Sequence, residues 1–213
     1  MKRLLYLLCL PLLSACAQPG EGQLGVYLLL DTSGTYTQEL DQAQKIINAT
    51  LVRLNPGDSF AVARIDTGSF SEKDIIQKVT LDDRPSQANQ QKRHFQEQVA
   101  TFVDSVKPAG FTDISGGLLQ AIEYLNEKQS GQKIVLIFSD LKEDLQKGYI
   151  RDLPLELSGF EVVALNVTKL RSDNLDPREY LQRLDAWRQR VESGGGRWRV
   201  INDIDRLERL VPG

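Results

Sequence analysis

The chain has 213 residues, of which 41% are hydrophobic and 26% are charged, and its formal net charge is −3. This composition suits one globular domain with a sizeable core and excludes a largely disordered chain. The negative charge argues against a nucleic-acid partner that is bound mainly through phosphate contacts. The negative charge favours a cation as a ligand.

The first fifteen residues have the pattern of a secretory signal. Lys2 and Arg3 precede an apolar stretch from Leu4 to Leu13, which is shorter than the roughly 20 residues that a membrane-spanning helix needs. The sequence LSAC at 13–16 resembles the lipobox of bacterial lipoproteins, which implies cleavage before Cys16 and acylation of its thiol. An ordinary signal peptide with an incidental cysteine is the alternative.

The leader sets the expected layout of the mature chain. Residues 1–15 are the signal peptide, 16–23 the lipidated cysteine and a short tether, and 24–213 a single domain. Seven extended residues after Cys16 span at most about 25 Å, so the domain would lie close to the membrane. Ala17 follows Cys16, and this residue implies sorting to the outer membrane, facing the periplasm, if the host resembles enteric bacteria.

After the tether, short aliphatic runs alternate with longer amphipathic stretches, a pattern typical of helices packed on a mostly parallel sheet. The predicted strands are Leu24 to Leu30, Ser59 to Asp66, Asp74 to Leu81, Gln132 to Ser139, Phe160 to Val167 and Arg197 to Asn202. The second and third form a hairpin, which makes the third an antiparallel edge strand. The polar segment 82–94 is predicted to be a surface loop that runs into a helix.

Apolar residues at helical spacing predict four helices between these strands. The stripes are Leu40, Ala43, Ile47, Leu51 and Leu54; Phe95, Val99, Phe102 and Val106; Leu118, Ile122 and Leu125; and Tyr180, Leu184, Trp187 and Val191. A short helix from Ile204 to Leu210 would close the domain. The predicted fold is an α/β, Rossmann-like three-layer sandwich with about six strands and helices on both faces of the sheet.

Two of the predicted strands end in an aspartate, Asp31 and Asp140. A carboxylate beside a dry core is costly without a partner, and open α/β sheets bind ligands at the carboxyl ends of their strands. Thr112 or Asp113 would cap the helix that descends to the strand before Asp140. That helix begins at the same edge of the sheet, so we expect Thr112 to lie near both aspartates.

These motifs resemble the von Willebrand factor type A domain with its metal ion-dependent adhesion site. In that family the first loop reads Asp-x-Ser-x-Ser, and DTSGT supplies Asp31, Ser33 and Thr35. GFTDI supplies the second-loop threonine as Thr112, and the third-loop aspartate is Asp140. Two positions depart from the family pattern: Thr35 replaces a serine, and Leu141 replaces the glycine that commonly follows the last aspartate.

The resemblance implies a binding module without enzymatic activity. Mg²⁺ or Mn²⁺ would be held by Asp31, Ser33, Thr35, Thr112 and Asp140, and an acidic side chain of a protein partner would complete the coordination. Mg²⁺ demands nearly octahedral oxygen coordination and usually keeps several waters. Because the set contains only two carboxylates, the ion would retain an attraction for an anionic ligand.

Other functions remain as alternatives. Asp31 and Thr112 could merely cap helices, and the domain could be a structural subunit without metal or could bind a small anionic ligand. LLLDTSGT also resembles the first motif of haloacid dehalogenase-type phosphatases, but Ser33 stands where those enzymes need a second carboxylate for proton transfer. His94, the only histidine, lies in a polar segment and is interpreted as a surface residue. One histidine and no free cysteine in the mature chain argue against a zinc site.

For several charged and aromatic residues in the second half of the chain, a structural role is expected rather than a functional one. The arginines at 183, 188, 190, 197 and 199 are expected to form a solvated face. Trp187 and Trp198 are expected to pack in the core rather than to bind a ligand. Glu143 and Asp144 either add negative charge near the metal or face solvent.

Overall fold

The described part of the chain contains six strands and four helices. The computed structural model describes residues 22–34, 39–149, 151, 153–165, 167 and 176–202. The predicted signal peptide, Cys16, Thr35 and the predicted helix from Ile204 to Leu210 lie outside these ranges. Within them, no helix combines the length and the apolar composition that crossing a bilayer requires.

The strand bounds agree with the predicted runs to within one or two residues. The strands are β1 (Leu24–Asp31), β2 (Ser59–Ile65), β3 (Ile75–Thr80), β4 (Gln132–Phe138), β5 (Phe160–Leu165) and β6 (Arg197–Ile201). The helices are α1 (Leu40–Arg53), α2 (Pro85–Ser105), α3 (Ile114–Glu127) and α4 (Pro177–Ser193). A single 3₁₀ turn, Glu72–Asp74, precedes β3.

The strands form one sheet in the order β3-β2-β1-β4-β5-β6. All neighbouring pairs are parallel except β2 and β3, which form the expected antiparallel hairpin at one edge. β1 and β4 lie in the middle of the sheet, and every residue of β1 is buried. The three-layer α/β architecture is therefore confirmed.

The helices cover both faces of the sheet, and the side chains of β1 alternate between the two core layers. Val26, Leu28 and Leu30 face the layer that contains the apolar residues of α1 and α2. Tyr27 and Leu29 face the layer that contains those of α3 and α4. Burial on both sides explains why β1 is a continuous apolar run rather than an alternating one.

The segment 82–94 differs from its prediction, because most of it is the first half of α2 rather than a loop. Pro85 occupies the first turn of the helix, where its missing N–H and fixed φ are tolerated. Ala88 and Phe95 are buried on one face while most of the intervening polar residues remain exposed or partly exposed. The polar composition therefore reflected the solvated face of a long helix.

Helix α3 approaches β1 closely at Gly117. A Cβ atom at this position would lie 2.7 Å from Cδ2 of Leu29 and 3.2 Å from its Cδ1. Leu29 is fully buried, so its side chain has no free space into which to move. The glycine thus fixes the distance between the helix and the strand that carry Thr112 and Asp31 at their ends.

We therefore expect Gly117→Val to destabilise the domain by about 1–3 kcal/mol through overpacking. Gly22→Val is the matched control, because a Cβ at Gly22 meets no atom within 4 Å. Thermal unfolding of both variants measures the difference. Equal melting temperatures for Gly117→Val and the wild type would show that the layer between α3 and β1 is loosely packed.

Candidate metal centre at the carboxyl edge of the sheet

Asp31 ends β1 at the carboxyl edge of the sheet and is only 1% exposed. The backbone N–H of Ser33 donates a hydrogen bond of 2.8 Å to its Oδ1. The hydroxyl of Ser139, the residue after β4, donates a hydrogen bond of 2.6 Å to its Oδ2. Both carboxylate oxygens are thus oriented by neighbouring groups, although neither bond brings a positive charge.

Three loops at this edge are tied to one another in a ring. The backbone N–H of Ala109 donates to the carbonyl of Thr32 at 2.8 Å, which joins the first loop to the second. The backbones of Thr112 and Asp144 exchange hydrogen bonds of 2.8 and 2.9 Å, which join the second loop to the third. The bond between Ser139 and Asp31 closes the ring.

Asp140 brings a second buried carboxylate to the same edge. It is 4% exposed, and its Oδ1 accepts a hydrogen bond of 2.8 Å from the backbone N–H of Lys142. Burial raises the pKa of the Asp140 carboxyl, and the negative charge of Asp31 raises it further. A cation between the two carboxylates would offset both costs.

Thr112 supplies a hydroxyl group that the fold itself does not use. The residue is 5% exposed, and its side chain forms no hydrogen bond with another described residue, while its backbone is fully paired with Asp144. Asp113, rather than Thr112, caps α3 by accepting a hydrogen bond of 2.8 Å from the backbone N–H of Gly116. The Thr112 oxygen is therefore available to a ligand.

The donor set fits a hard divalent cation. Asp31, Ser33, Thr112 and Asp140 lie on the three joined loops, and Thr35 lies outside the described residues. Among the residues that the structure describes, no three histidine, cysteine or carboxylate side chains form a metal-binding group. An ion at this edge would consequently depend on hydroxyl and water oxygens in addition to the two carboxylates, as Mg²⁺ and Mn²⁺ permit.

Leu141 follows Asp140 in a left-handed backbone conformation, with φ of 64°. Glycine adopts this conformation without strain, which explains why glycine commonly occupies the position. Here the leucine side chain is 1% exposed, and its backbone N–H donates to the Ser139 hydroxyl at 3.0 Å. Burial of the side chain and fixed backbone bonds offset the strain, so the loop keeps the turn that a glycine would allow.

Helix α4 holds the third loop through side chains on one of its faces. Arg183 Nε donates to the carbonyl of Asp140 at 2.8 Å, and Trp187 Nε1 donates to the carbonyl of Leu141 at 2.9 Å. One turn further along, Arg190 contacts the Ser115 hydroxyl, the Glu143 carboxylate and the carbonyl of Arg151. The expectation of a solvated face was therefore wrong for Arg183 and Arg190.

The remaining residues of that expected face form surface ion pairs. Arg188 pairs with Asp185, while Arg197 and Arg199 both pair with Glu161. Trp187 is buried, as expected, but it also donates the hydrogen bond to the third loop. The signal for this role was the spacing of 183, 187 and 190, which places all three residues on one helical face.

Two further ion pairs fix the start of α3 beside the candidate centre. Arg151 pairs with Asp113 at 2.6 Å. Glu143 accepts a hydrogen bond of 2.7 Å from the backbone N–H of Ser115 and pairs with Arg190 at 3.4 Å. Asp113 and Glu143 are therefore committed to the helix terminus, and Asp144 contributes its backbone to the second loop.

Comparison with known proteins identifies the domain. The family model of the von Willebrand factor type A domain matches residues 25–194. A von Willebrand factor type A protein from Catenulispora acidiphila superposes with a TM-score of 0.55 at 16% identity, over 88% of this chain and 40% of that one. The pilus adhesin SpaC from Lactobacillus rhamnosus GG, in its open conformation, gives a TM-score of 0.56 at 14% identity, over 88% and 29%.

These matches define the fold and the extent of the relationship. The chain spans less than half the length of either solved structure. No curated protein sequence is significantly similar to it. Because the family model covers most of the chain and the fold agrees with it, the protein belongs to the von Willebrand factor type A domain family.

Proposed function

We propose that the protein is a membrane-anchored bacterial lipoprotein that binds a protein partner through a divalent cation and has no enzymatic activity. The observation that carries the proposal is the pair of buried carboxylates, Asp31 and Asp140, on loops that hydrogen bonds lock together. The hydroxyl of Thr112 lies on the adjoining loop with no partner among the described residues. A rigid, incompletely neutralised set of oxygens is the arrangement that a binding site for Mg²⁺ or Mn²⁺ requires.

Each residue has a definite task in this proposal. Asp31 and Asp140 would provide the negative charge, and Ser33, Thr35 and Thr112 would provide neutral oxygens. The bound ion would supply an open coordination position for a glutamate or aspartate of the partner. Ser139 and α4 orient the two carboxylates and their loops before the ion arrives, which reduces the ordering cost of binding.

The family relationship supports a protein-binding role. The structural neighbour SpaC is a pilus adhesin, and the domain aligned here is only part of it. At 14% identity the likeness shows the fold alone. The residues at the carboxyl edge of this chain therefore carry the proposal.

The alternatives make different demands on the same residues. A phosphatase needs a carboxylate for proton transfer two residues after Asp31, and the chain has Ser33 there. A structural subunit without metal would need a partner for the two buried charges, and no cation among the described residues pairs directly with either carboxylate. A site for a small anionic ligand would use the same ion and differs only in what completes its coordination.

Asp140→Asn tests the metal site, because the variant should be more stable than the wild type without metal and less stable than the wild type with metal. In metal-free protein the variant should melt about 2–4 °C above the wild type if relief of the buried charge contributes roughly 1 kcal/mol. Saturating Mg²⁺ or Mn²⁺, at about 100 times its dissociation constant, should stabilise the wild type by about 2.7 kcal/mol. The same ions should leave the melting temperature of the variant nearly unchanged.

Asp185→Asn is the matched control for this measurement, because Asp185 forms an exposed ion pair on α4. It should respond to metal as the wild type does. Equal stabilisation of all three proteins by metal would contradict the assignment of Asp140 as a ligand.

Capture of the partner should depend on the ion. Full-length protein immobilised on beads and incubated with envelope extract should retain its partner in Mg²⁺ and release it in chelator, and Asp31→Ala should fail to retain it, because the partner's carboxylate binds the metal itself. Identical capture with chelator would favour the structural subunit. Turnover of a phosphate ester that disappears in Asp31→Ala would favour the enzyme.

The lipid anchor can be tested together with the orientation of the domain. Radiolabelled palmitate should enter the wild type and not Cys16→Ser. With the anchor intact, Lys107→Cys, in the loop between α2 and α3 at the metal edge, should react with a membrane-impermeant thiol reagent. Gln132→Cys, at the edge where β1 and β4 start, should react preferentially with a bilayer-confined reagent. These results are expected if the metal edge faces away from the membrane, and the reverse preference would overturn that orientation.

A further inference from the structure

A groove of about 290 Å³ lies beside the edge strand β3, on the face of the sheet that α3 covers. One wall comes from the segment between β2 and β3 and from the first residue of β3. The other wall comes from the second half of α3. None of the candidate metal ligands lines the groove, so it is a separate surface from the metal centre.

The apolar part of the groove includes a large aromatic side chain that is exposed to solvent. Phe70 is 46% exposed, and Ile75 and Tyr124 complete the apolar lining. Exposed aromatic side chains of this kind are enriched at the centres of protein interfaces. We therefore expect an apolar side chain of a partner to pack against Phe70.

Gln120 presents a polar group in the same groove. The residue is 95% buried, and its Oε1 accepts a hydrogen bond of 3.0 Å from the hydroxyl of the fully buried Tyr27. Its amide nitrogen, in contrast, forms no hydrogen bond with another described residue. The bond from Tyr27 fixes the amide in one orientation, so Gln120 offers a preset donor to an incoming carbonyl oxygen.

The negative charge on α3 is placed unfavourably for the helix. Gln120, Glu123, Tyr124 and Glu127 share one helical face, because they are spaced at i, i+3, i+4 and i+7. Glu123 and Glu127 repel each other at i, i+4, and Glu127 is the last residue of the helix. Carboxylates near the negative end of the helix dipole are further disfavoured.

Glu72 adds a third carboxylate on the opposite wall. Its carboxylate forms an ion pair with Lys78, whose Nζ lies 3.0 Å from Oε1 of Glu72. The ammonium of Lys128 lies 5.5 Å from the centre of the Tyr124 ring. Burial and the charge of Glu127 raise the pKa of Tyr124 to about 12, which agrees with a negative potential at this wall.

We propose that this groove docks a basic, apolar peptide segment of a partner protein. A lysine or arginine of the segment lies between Glu123 and Glu127, an apolar side chain covers Phe70, and a backbone carbonyl accepts a hydrogen bond from Gln120. The bound cation relieves the repulsion on α3, which explains why two glutamates stand where isolated helix stability disfavours them. An anionic lipid surface would be repelled by the same three carboxylates.

This docking surface does not depend on the metal centre. Binding is therefore measured in chelator, where the metal site is inactive. A negative result for peptide binding therefore says nothing about the metal site, and a negative result for metal binding says nothing about the groove.

The test uses two synthetic fluorescent peptides with the sequences GKIKFKG and GEIEFEG and the purified full-length protein in nonionic detergent. Fluorescence anisotropy should show saturable binding of the basic peptide, with a dissociation constant on the order of 10–500 μM, and none of the acidic one. Reversing both glutamates, in Glu123→Lys/Glu127→Lys, should weaken binding about tenfold or more. Phe70→Ala should weaken it by about three- to tenfold.

Glu97→Lys is the matched control, since Glu97 is an exposed glutamate on α2. It should change the affinity less than twofold. The double variant should melt no lower than the wild type, because lysines suit the negative end of the helix dipole better than glutamates do, so loss of binding reports the groove rather than unfolding. Amide chemical-shift changes on titration should map to the segment between β2 and β3, the start of β3 and the second half of α3.

Three results would overturn the proposal. Equal weakening by Glu97→Lys would show that the peptide senses only the overall negative charge. Shift changes outside the groove would place the peptide elsewhere. Absence of saturable binding up to about 1 mM, near the weak end of specific recognition, would show that the groove does not dock a basic segment.

Discussion

The burial of two carboxyl groups at one edge of the sheet is the constraint on which the rest of this structure depends. Asp31 and Asp140 are each almost inaccessible to solvent, and burial together with the negative charge of Asp31 raises the pKa of the Asp140 carboxyl. Neither receives a direct ion pair from a described residue. The fold meets this cost only in part, through hydrogen bonds from Ser33, Ser139 and the backbone of Lys142. The nearby positive charges of Arg183 and Lys142 also lower the pKa of Asp140, but less than burial raises it.

The surrounding architecture keeps that costly arrangement rigid. Loops after β1 and β4 are joined to the loop before α3, and α4 binds the third loop from behind through Arg183, Trp187 and Arg190. Such bonds prevent the carboxylates from turning toward water, where their charges would be better solvated. A site that cannot relax by itself would favour the binding of a cation, as the proposed function requires.

Much of the fold could be predicted from the sequence, because the signals were local. Apolar runs that end in Asp31 and Asp140 indicated buried parallel strands, and stripes at helical spacing indicated the four helices. The resemblance of DTSGT and GFTDI placed the candidate ligands at one edge. The first ten residues of the helix that begins at Pro85 were assigned to a loop because they are mostly polar, and only their position in the packed domain shows that they form a solvated face.

The residues that orient the candidate ligands could not be identified from the sequence, for a different reason. Ser139 and Arg183 act through contacts with residues more than forty positions away, and nothing local distinguishes them from ordinary polar residues. The choice between Thr112 and Asp113 as the helix cap also required coordinates, since either side chain suits the position. The structure shows that Asp113 is the cap, which leaves the Thr112 hydroxyl for another ligand.

Direct measurement of Mn²⁺ binding by electron paramagnetic resonance tests the central claim most simply. Free Mn²⁺ gives a strong signal that decreases when the ion is bound, so a titration counts sites without reference to any partner. The account predicts one site in the full-length wild-type protein and none in Asp31→Ala or Asp140→Asn. Absence of binding to the wild type, or equal binding to all three proteins, would contradict it.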